Sequence, residues 1–373
     1  MKFRTYVFFF LLFGVLADVI IGLTLLKDAP LMWKLLPALP TLAAGCCLPL
    51  MAAGIVYTDA IRIFSFLIFI FELPKFVAAL FGLFLPAAVA AGLGIAVSAF
   101  FLTYIFYVSR HLQVKALSLA FPDLPDGFDG LRICHISDFH LGSLGHRSRL
   151  VKRIVDAVMA QQPEIILFSG DLVSFETREA DAYKPWLEPL AAPMGVYSIM
   201  GNHDFLLHGP HDEQGRKADM EKLEAFEKAL GWRVLRNQVE ILERGGGRMA
   251  LLGVDNVSRN PYFQKTGGSL KKALEGVPEG LFKILLSHDA THWRMEVLPA
   301  TDIQLTLSGH THGLKYKLSG PHPSHWKLPE SAGIYTQDGR VLHVTPGLGS
   351  GFAFRLGGYP EIDMITLTKT QPI

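Results

Sequence analysis

Residues 6–108 are almost continuously apolar. A helix needs roughly 20 residues, at 1.5 Å each, to cross about 30 Å of hydrocarbon. Four apolar stretches reach that length, and they lie near 6–26, 35–57, 63–85 and 87–108. A cleaved signal peptide would contribute one such stretch and then give way to polar sequence. The pattern therefore predicts an all-α transmembrane region of four helices within residues 1–110.

The loops that flank these stretches carry unequal positive charge. With four spans, one side of the membrane receives only Lys27 and Lys34. The other side receives Lys2, Arg4, Arg62, Arg110 and Lys115. Because Lys and Arg concentrate in cytoplasmic loops, we expect an integral, multi-pass cell-membrane protein with a cytoplasmic C-terminal part. If the last two stretches formed a single kinked span, this orientation would reverse.

Three residues interrupt the third apolar stretch: Glu72, Pro74 and Lys75. Ionisable residues at membrane depth are candidates for function. Glu72 and Lys75 are also three positions apart, so they can neutralise each other on one helix face. Both interpretations are open at the level of sequence.

Beyond residue 110 the pattern changes to that of a water-soluble domain. Residues 111–130 are polar and rich in turn-forming Pro, Gly and Asp, which predicts a linker. Residues 131–373 are enough to bury one sizeable core.

Within residues 131–373, short apolar runs alternate with helical patterns. Strands are predicted near 131–137, 165–169, 195–200, 233–242, 248–254, 282–287, 303–307, 341–345 and 361–367. Helices are predicted near 147–161, 178–190 and 219–230. The early part alternates as in βαβ units and the later part is richer in strands. This predicts an α/β (α+β) sandwich of two mixed sheets that are flanked by helices.

Composition and net charge reduce the number of possible classes of function. The chain of 373 residues is 50% hydrophobic and 18% charged, which excludes a disordered protein. Lys and Arg total 35 against 34 Asp and Glu, a net charge of +1. No whole-chain positive field therefore favours nucleic acid as a partner, and a phosphate ligand would have to be bound locally. The three cysteines, Cys46, Cys47 and Cys134, form no disulfide framework.

Polar residues of metal-binding types follow five of the predicted strands. Four of the runs are Ser137-Asp138-Phe139-His140, Gly170-Asp171, Gly201-Asn202-His203-Asp204 and Ser287-His288-Asp289, and the fifth is Ser308-Gly309-His310-Thr311-His312-Gly313. Open α/β sheets place their chemistry at the carboxyl ends of strands. The five runs therefore predict a shared site.

The residue types in these runs indicate the chemistry. Two metal ions about 3.5–4 Å apart can clamp a phosphoryl group and activate a water molecule, provided that a carboxylate bridges them. Imidazole and carboxylate ligands without thiolate favour Mn, Fe or Zn. Two divalent cations with two aspartates leave a positive site that attracts an anionic phosphate. We therefore expect two divalent metal ions and a phosphate-ester substrate.

The motifs D-x-H, GD, GNHD, H and GHTH, in this order, resemble those of the calcineurin-like metallophosphoesterase superfamily over residues 131–373. The segments Gly347-Leu348-Gly349, Arg355 and Pro360-Glu361-Ile362 further resemble its membrane-associated bacterial branch. The resemblance implies a metallophosphoesterase-type sandwich with a dinuclear metal centre that hydrolyses phosphoesters by metal-activated hydroxide.

The resemblance also implies a role for each residue of the site. One metal ion would be held by Asp138, His140 and His312. The other would be held by Asn202, His288 and His310. Asp171 would bridge the two ions. His203 would stabilise developing charge or protonate the leaving oxygen, and Asp204 would orient His203.

The sequence leaves alternatives open at several positions near the motifs. Arg355 could contact the phosphate or form a salt bridge. The branch usually reads GHTHGGQ, whereas Leu314 and Lys315 follow Gly313 here, which affects the loop on the substrate side. His135 is expected to be packed or hydrogen-bonded within its strand. We expect His208 to be exposed to solvent.

Three classes of function follow. The first is a membrane-anchored dimetal phosphohydrolase, cleaving a phosphodiester or phosphomonoester, with membrane lipid as a partner. Anchoring favours a lipid-linked substrate, and the specific alternative is a pyrophosphohydrolase of the UDP-2,3-diacylglucosamine type in lipid A synthesis. The second is a catalytically silent metal-binding scaffold. The third is a transporter or channel with a regulatory phosphoesterase-like domain.

Overall fold

The structure is a computed structural model that describes residues 3–53, 57–145, 148–313, 330–350, 355 and 359–369. It divides into two compact units, Met1–Arg110 and His111–Ile373. The departure at Leu314 and Lys315 lies outside the described residues.

The first unit is entirely helical in its described part. Its helices are α1 (Phe3–Leu23), α2 (Leu31–Leu35), α3 (Ala38–Ala53), α4 (Tyr57–Leu67), α5 (Leu73–Gly82) and α6 (Ala87–Arg110). A π-helical turn, Ile68–Glu72, joins α4 and α5 into one continuous helix. The interruption at Glu72–Lys75 therefore does not end the helix, and the break falls after Gly82.

Two helices among the described residues are long and apolar enough to cross a membrane. They are Tyr57–Gly82 and Ala87–Tyr107. Phe8–Leu23 and Ala38–Ala53 are apolar but shorter. The two longer helices match the third and fourth predicted stretches, so the four-helix transmembrane region is supported for two of its helices and stays a prediction for the others.

The charged residues of the third stretch pair with each other. Lys75 Nζ lies 2.7 Å from Glu72 Oε2 and 2.8 Å from Asp18 Oδ1. Lys75 also donates a hydrogen bond of 2.6 Å to Thr41 Oγ1. All of these side chains are largely buried. Glu72 and Lys75 therefore pair with each other, one of the two alternatives that the sequence left open, and α1 contributes an additional carboxylate.

The second unit contains twelve strands and seven helices in its described residues. The strands are β1 (Gln113–Ala120), β2 (Arg132–Ile136), β3 (Ile165–Phe168), β4 (Val196–Ser198), β5 (Arg233–Val234), β6 (Gln238–Arg244), β7 (Gly247–Gly253), β8 (Phe282–Asp289), β9 (Leu305–Gly309), β10 (Gly333–Gln337), β11 (Arg340–Val344) and β12 (Glu361–Thr368). The helices are α7 (Leu141–Leu144), α8 (Ser148–Ala160), α9 (Arg178–Asp181), α10 (Lys184–Leu187), α11 (Glu213–Ala229), α12 (Leu270–Leu274) and α13 (Leu298–Ala300).

These strands form two six-stranded mixed sheets. The first has the order β1-β12-β2-β3-β4-β5, and the second has the order β10-β11-β9-β8-β7-β6. Strands β2 to β5 are parallel, as are β7, β8, β9 and β11, while β12 is antiparallel to β2. This is the predicted architecture of two mixed sheets.

Apolar side chains of both sheets meet in a common core. The central strands are almost wholly apolar because parallel strands are covered on both faces. Ile133, Leu167, Leu251, Leu286 and Leu307 lie in this core and are fully or almost fully buried. Helix α8 covers the outer face of the first sheet with its apolar residues. The packing fixes the carboxyl ends of the parallel strands, where the polar runs begin.

The predicted linker is wrong for its first half. Residues 113–120 form β1, which pairs in parallel with β12 along its whole length. The Pro, Gly and Asp residues on which the linker prediction rests lie only at 122–130. The second unit therefore begins at His111, before the boundary that the sequence predicted.

Two other elements differ from the predictions. The strand predicted at 233–242 is divided into β5 and β6 at Asn237, whose φ is 54°. The helix predicted at 178–190 consists of two short helices, α9 and α10. Strand β10 was not predicted, because its residues are mostly exposed and show no clear apolar alternation.

Candidate metal centre

The five polar runs converge at the carboxyl ends of β2, β3, β4, β8 and β9. In the first sheet β2, β3 and β4 are neighbours, and in the second sheet β8 and β9 are neighbours. Five of the predicted ligands adopt a left-handed backbone with φ between 47° and 71°: Asp138, His140, Asp171, His310 and His312. This conformation is costly for residues other than glycine, so the fold holds these side chains in place at the expense of local strain.

The three residues predicted to bind one metal lie together. Donor atoms of Asp138, His140 and His312 are all within 4.8 Å of one another. Asp138 Oδ1 lies 3.7 Å from His140 Nε2 and 3.9 Å from His312 Nε2. Asp138 and His140 are fully buried.

Asp171 lies between the two predicted ligand groups. Its Oδ2 is 3.4 Å from His140 Nε2 and 3.1 Å from His288 Nε2. Donor atoms of Asp171, His288 and His310 form a second group within 4.8 Å. This is the position that a bridging carboxylate requires.

Asn202 completes the second group. Its Oδ1 lies 2.7 Å from His310 Nδ1 and 3.1 Å from His288 Nε2. The structure therefore brings together all seven residues that the sequence predicted as ligands.

The donor atoms of this cluster fit divalent cations. Asp138 Oδ1, His140 Nε2 and His312 Nδ1 are buried and have no hydrogen-bond partner among the described residues. Buried polar atoms without a partner cost free energy, and a metal ion would remove that cost. The nitrogen and oxygen donors, with no thiolate, suit Mn, Fe or Zn.

Neighbouring charges control protonation in the cluster. Burial opposes ionisation of Asp171, but His288 and His203 hold its pKa well below the usual range. Burial alone would lower the pKa of His288, yet the Asp171 carboxylate raises it to about 10. Burial lowers the pKa of His312 to about 3. A cation would therefore meet an ionised carboxylate and would displace a proton from His288.

Main-chain carbonyls fix the orientation of two imidazoles. His288 Nδ1 lies 2.7 Å from the Ser169 carbonyl, to which it donates, so Nε2 is left to face Asp171. His203 Nδ1 likewise lies 2.7 Å from the Ser174 carbonyl. The His203 main-chain N–H donates to Asp171 Oδ1 at 2.8 Å. Burial lowers the pKa of His203 to about 3.

Asp204 is buried and bonds to the main chain around the cluster. Its two carboxylate oxygens accept hydrogen bonds from four main-chain N–H groups: those of Asp171, Leu172, Val173 and Gly201. His203 Nδ1 is hydrogen-bonded to the Ser174 carbonyl. Asp204 therefore holds the loop that carries Asp171, and its role in orienting His203 stays a prediction.

Arg355 supports the loop 346–349. Its guanidinium is buried and donates to the carbonyls of Pro346 and Gly349, both at 2.5 Å. That loop contacts the metal-binding run after β2, since the N–H of Leu348 donates to Ser137 and that of Gly349 to Asp138. The positive charge of Arg355 also contributes to the lowered pKa of His312. Its predicted contact with the phosphate stays a prediction.

An aromatic wall beside the cluster was not predicted. His208 stacks on Tyr262, with ring centroids 5.2 Å apart, and lies 5.4 Å from the His203 ring. Phe263 contacts both His208 and the predicted ligand His310 edge to face. His208 is therefore half-buried against this wall, in contrast to the predicted solvent exposure, and its burial lowers its pKa. In the sequence, the two adjacent aromatic residues at 262–263 are the signal from which this wall could have been predicted.

Comparison with known families identifies this arrangement. Residues 131–314 match the family model described as Calcineurin-like phosphoesterase. The matched range contains all seven residues of the ligand cluster, together with His203 and Asp204.

Three curated relatives are similar to most of the chain. The uncharacterized metallophosphoesterase YkuE of Bacillus subtilis is 29% identical over 80% of this chain and 98% of its own length. A transmembrane protein with metallophosphoesterase domain from Danio rerio is 29% identical over 69% of this chain. The match covers 57% of the length of that relative. The UDP-2,3-diacylglucosamine pyrophosphatase LpxG of Chlamydia trachomatis is 24% identical over 75% of this chain and 97% of its own length. Residues 131–314 therefore form a calcineurin-like phosphoesterase domain, and the chain is a phosphoester hydrolase.

Proposed function

We propose that the protein is a membrane-anchored dimetal phosphohydrolase that cleaves a phosphodiester or phosphomonoester in a lipid-linked substrate. The observation that carries the proposal is the convergence of six ligand-type side chains around a seventh, that of Asp171. That carboxylate lies 3.4 Å from His140 Nε2 in one group and 3.1 Å from His288 Nε2 in the other. Two metal ions would share the Asp171 carboxylate.

Each group of residues has its own part in this mechanism. Asp138, His140 and His312 would hold one divalent ion, and Asn202, His288 and His310 would hold the other. When bound, the two ions would polarise the phosphoryl oxygens and activate a water molecule for attack. The Ser169 carbonyl keeps His288 in the orientation that binding needs. Asp204 keeps Asp171 in place through the main chain.

His203 would assist departure of the leaving group. Its ring lies 4.8 Å from that of His140, and its Nδ1 is occupied by the Ser174 carbonyl. The other ring nitrogen, Nε2, therefore carries the lone pair of the neutral ring. It would protonate the leaving oxygen only after taking up a proton, for which the attacking water is a source. Arg355 would contribute positive charge next to the site of His312 and contact the phosphate.

Three observations support a lipid-linked substrate at a membrane. Tyr57–Gly82 and Ala87–Tyr107 are long and apolar enough to span a bilayer, and the Danio rerio relative is named as a transmembrane protein. The Chlamydia relative is named for a lipid-linked pyrophosphate. The loop charges favour a catalytic unit on the cytoplasmic side. A UDP-2,3-diacylglucosamine pyrophosphohydrolase is accordingly the specific second candidate.

The experiment compares three substrates with one another, and the enzyme is the full chain in lipid nanodiscs. Mn-dependent hydrolysis would be measured for UDP-2,3-diacylglucosamine, for a phosphatidic acid and for bis-p-nitrophenyl phosphate, with Asp171→Asn as the blank. We expect a kcat/KM at least about tenfold higher for one lipid-linked substrate, because anchoring confines enzyme and substrate to one surface. Higher kcat/KM for the soluble diester than for either lipid would refute the lipid-linked assignment but would leave phosphoester hydrolysis intact.

A further inference from the structure

A second group of ligand-type side chains lies between the two sheets. His135 on β2, Asp363 on β12 and His343 on β11 each offer a donor atom within 4.8 Å of the others. All three side chains are fully buried. The group shares no residue with the dinuclear centre. It is surrounded by the apolar core, since Ile133 and Ile365, two positions away on β2 and β12, belong to that core.

The hydrogen bonds of this group are incomplete. His135 is bonded through Nε2 to Ser169 Oγ at 2.9 Å, and its Nδ1 lies 3.1 Å from His343 Nδ1. His343 Nε2 is 3.5 Å from Asp363 Oδ1, which is longer than an N–H···O hydrogen bond. In the part of the chain that the structure describes, His343 Nε2 and both oxygens of Asp363 have no hydrogen-bond partner.

The polar atoms of this group lie where water cannot reach them. Both oxygens of Asp363 and Nε2 of His343 are buried without a hydrogen-bond partner among the described residues, and such atoms cost free energy. A divalent ion bound by the three side chains would remove that cost.

We propose that His135, His343 and Asp363 form a third divalent-metal site, which fastens the first sheet to the second. Two imidazoles and a carboxylate are a donor set that suits zinc. His343 belongs to the second sheet, whereas His135 and Asp363 belong to the first. An ion held by all three would cross-link strands that are distant in sequence. Because the site is fully buried, the ion enters as the unit folds.

The test is a metal count on the full chain expressed in zinc-supplemented medium. We expect about three zinc ions per wild-type chain and about two in His343→Gln and in Asp363→Asn, because each variant removes a ligand of the third site. The matched control is His211→Gln, which changes a partly exposed histidine outside the group and keeps the wild-type count. A wild-type count of two, unchanged in both variants, would overturn the proposal.

A second measurement uses only the wild-type chain. It therefore remains informative if His343→Gln or Asp363→Asn folds poorly. Prolonged chelation of the folded wild-type chain should remove the ions of the dinuclear centre and abolish hydrolysis. About one zinc ion per chain should remain, since its site is closed to solvent. Loss of all zinc together with hydrolysis would contradict the buried site. Hydrolysis that survives chelation would instead count against the dinuclear centre.

Discussion

Replacing Asp204 by asparagine tests whether this residue holds the Asp171 loop or orients His203. Asp204 Oδ2 accepts the N–H groups of Asp171 and Gly201 at 2.6 and 2.9 Å. Oδ1 accepts those of Leu172 and Val173 at 2.9 and 3.2 Å. An asparagine offers one oxygen and one NH₂ group. In either orientation, two buried N–H groups lose their acceptor and face a donor.

The size of the effect follows from these two N–H groups. An unsatisfied buried donor costs about 1–3 kcal/mol, so Asp204→Asn should destabilise the second unit by about 2–6 kcal/mol. For a domain of this size each kcal/mol lowers Tm by about 2–4 °C, and we expect a loss of about 10 °C. Because the Asp171 loop is released, the apparent metal affinity should fall as well.

The assay is thermal unfolding of the full chain in detergent, combined with metal titration of hydrolysis. Asp212→Asn is the control, since this exposed carboxylate accepts one N–H, that of Gly215, at the start of α11. Asparagine is an equally good N-cap, so its Tm should stay within about 1 °C of wild type. An Asp204→Asn chain with normal Tm and metal affinity but reduced kcat would refute the reasoning, and would favour Asp204 as a residue that orients His203.

Three further predictions concern other positions. His203→Ala should keep both catalytic metals and lower kcat on bis-p-nitrophenyl phosphate by about 10²; an unchanged rate would reject its role. Burial raises the pKa of Glu227 to about 8, so its contribution to stability is complete below pH 4.5 and is lost as pH rises through 8. Glu227→Gln should therefore gain Tm over wild type from pH 5 to pH 8.5, and parallel Tm curves would contradict this. Gly347→Ala should lower Tm and metal content more than Gly276→Ala: both positions have positive φ, but only at Gly347 would a Cβ approach Asp138, to 2.6 Å. Equal losses would show that backbone strain alone matters.

The arrangement of the ligand cluster could be predicted from sequence because each part of it is local. Each polar run follows its own apolar strand directly, and parallel strands bring their carboxyl ends to one edge. Asp138 after β2 and Asp171 after β3 are examples, since these strands are neighbours in parallel register. The resemblance to a known family supplied the division of the ligands into two groups.

Other features depend on contacts that are distant along the chain. Strand β1 pairs with β12 near the far end of the sequence, and the turn-rich residues that follow β1 favour a linker when they are considered alone. Asp204 meets the N–H groups of a loop more than 30 residues earlier. His343 approaches His135 across 208 residues and between two sheets. Local patterns carry no information on such pairings, because they are decided by sheet order and by how the sheets pack.

The most direct test of the account is hydrolysis and metal content of the full chain beside its Asp171→Asn variant. The account predicts Mn-stimulated hydrolysis of bis-p-nitrophenyl phosphate by the wild type. It also predicts loss of that activity and of about two metal ions per chain in the variant, because the shared carboxylate is neutralised. Hydrolysis and metal content that are unchanged in Asp171→Asn would contradict the dinuclear centre.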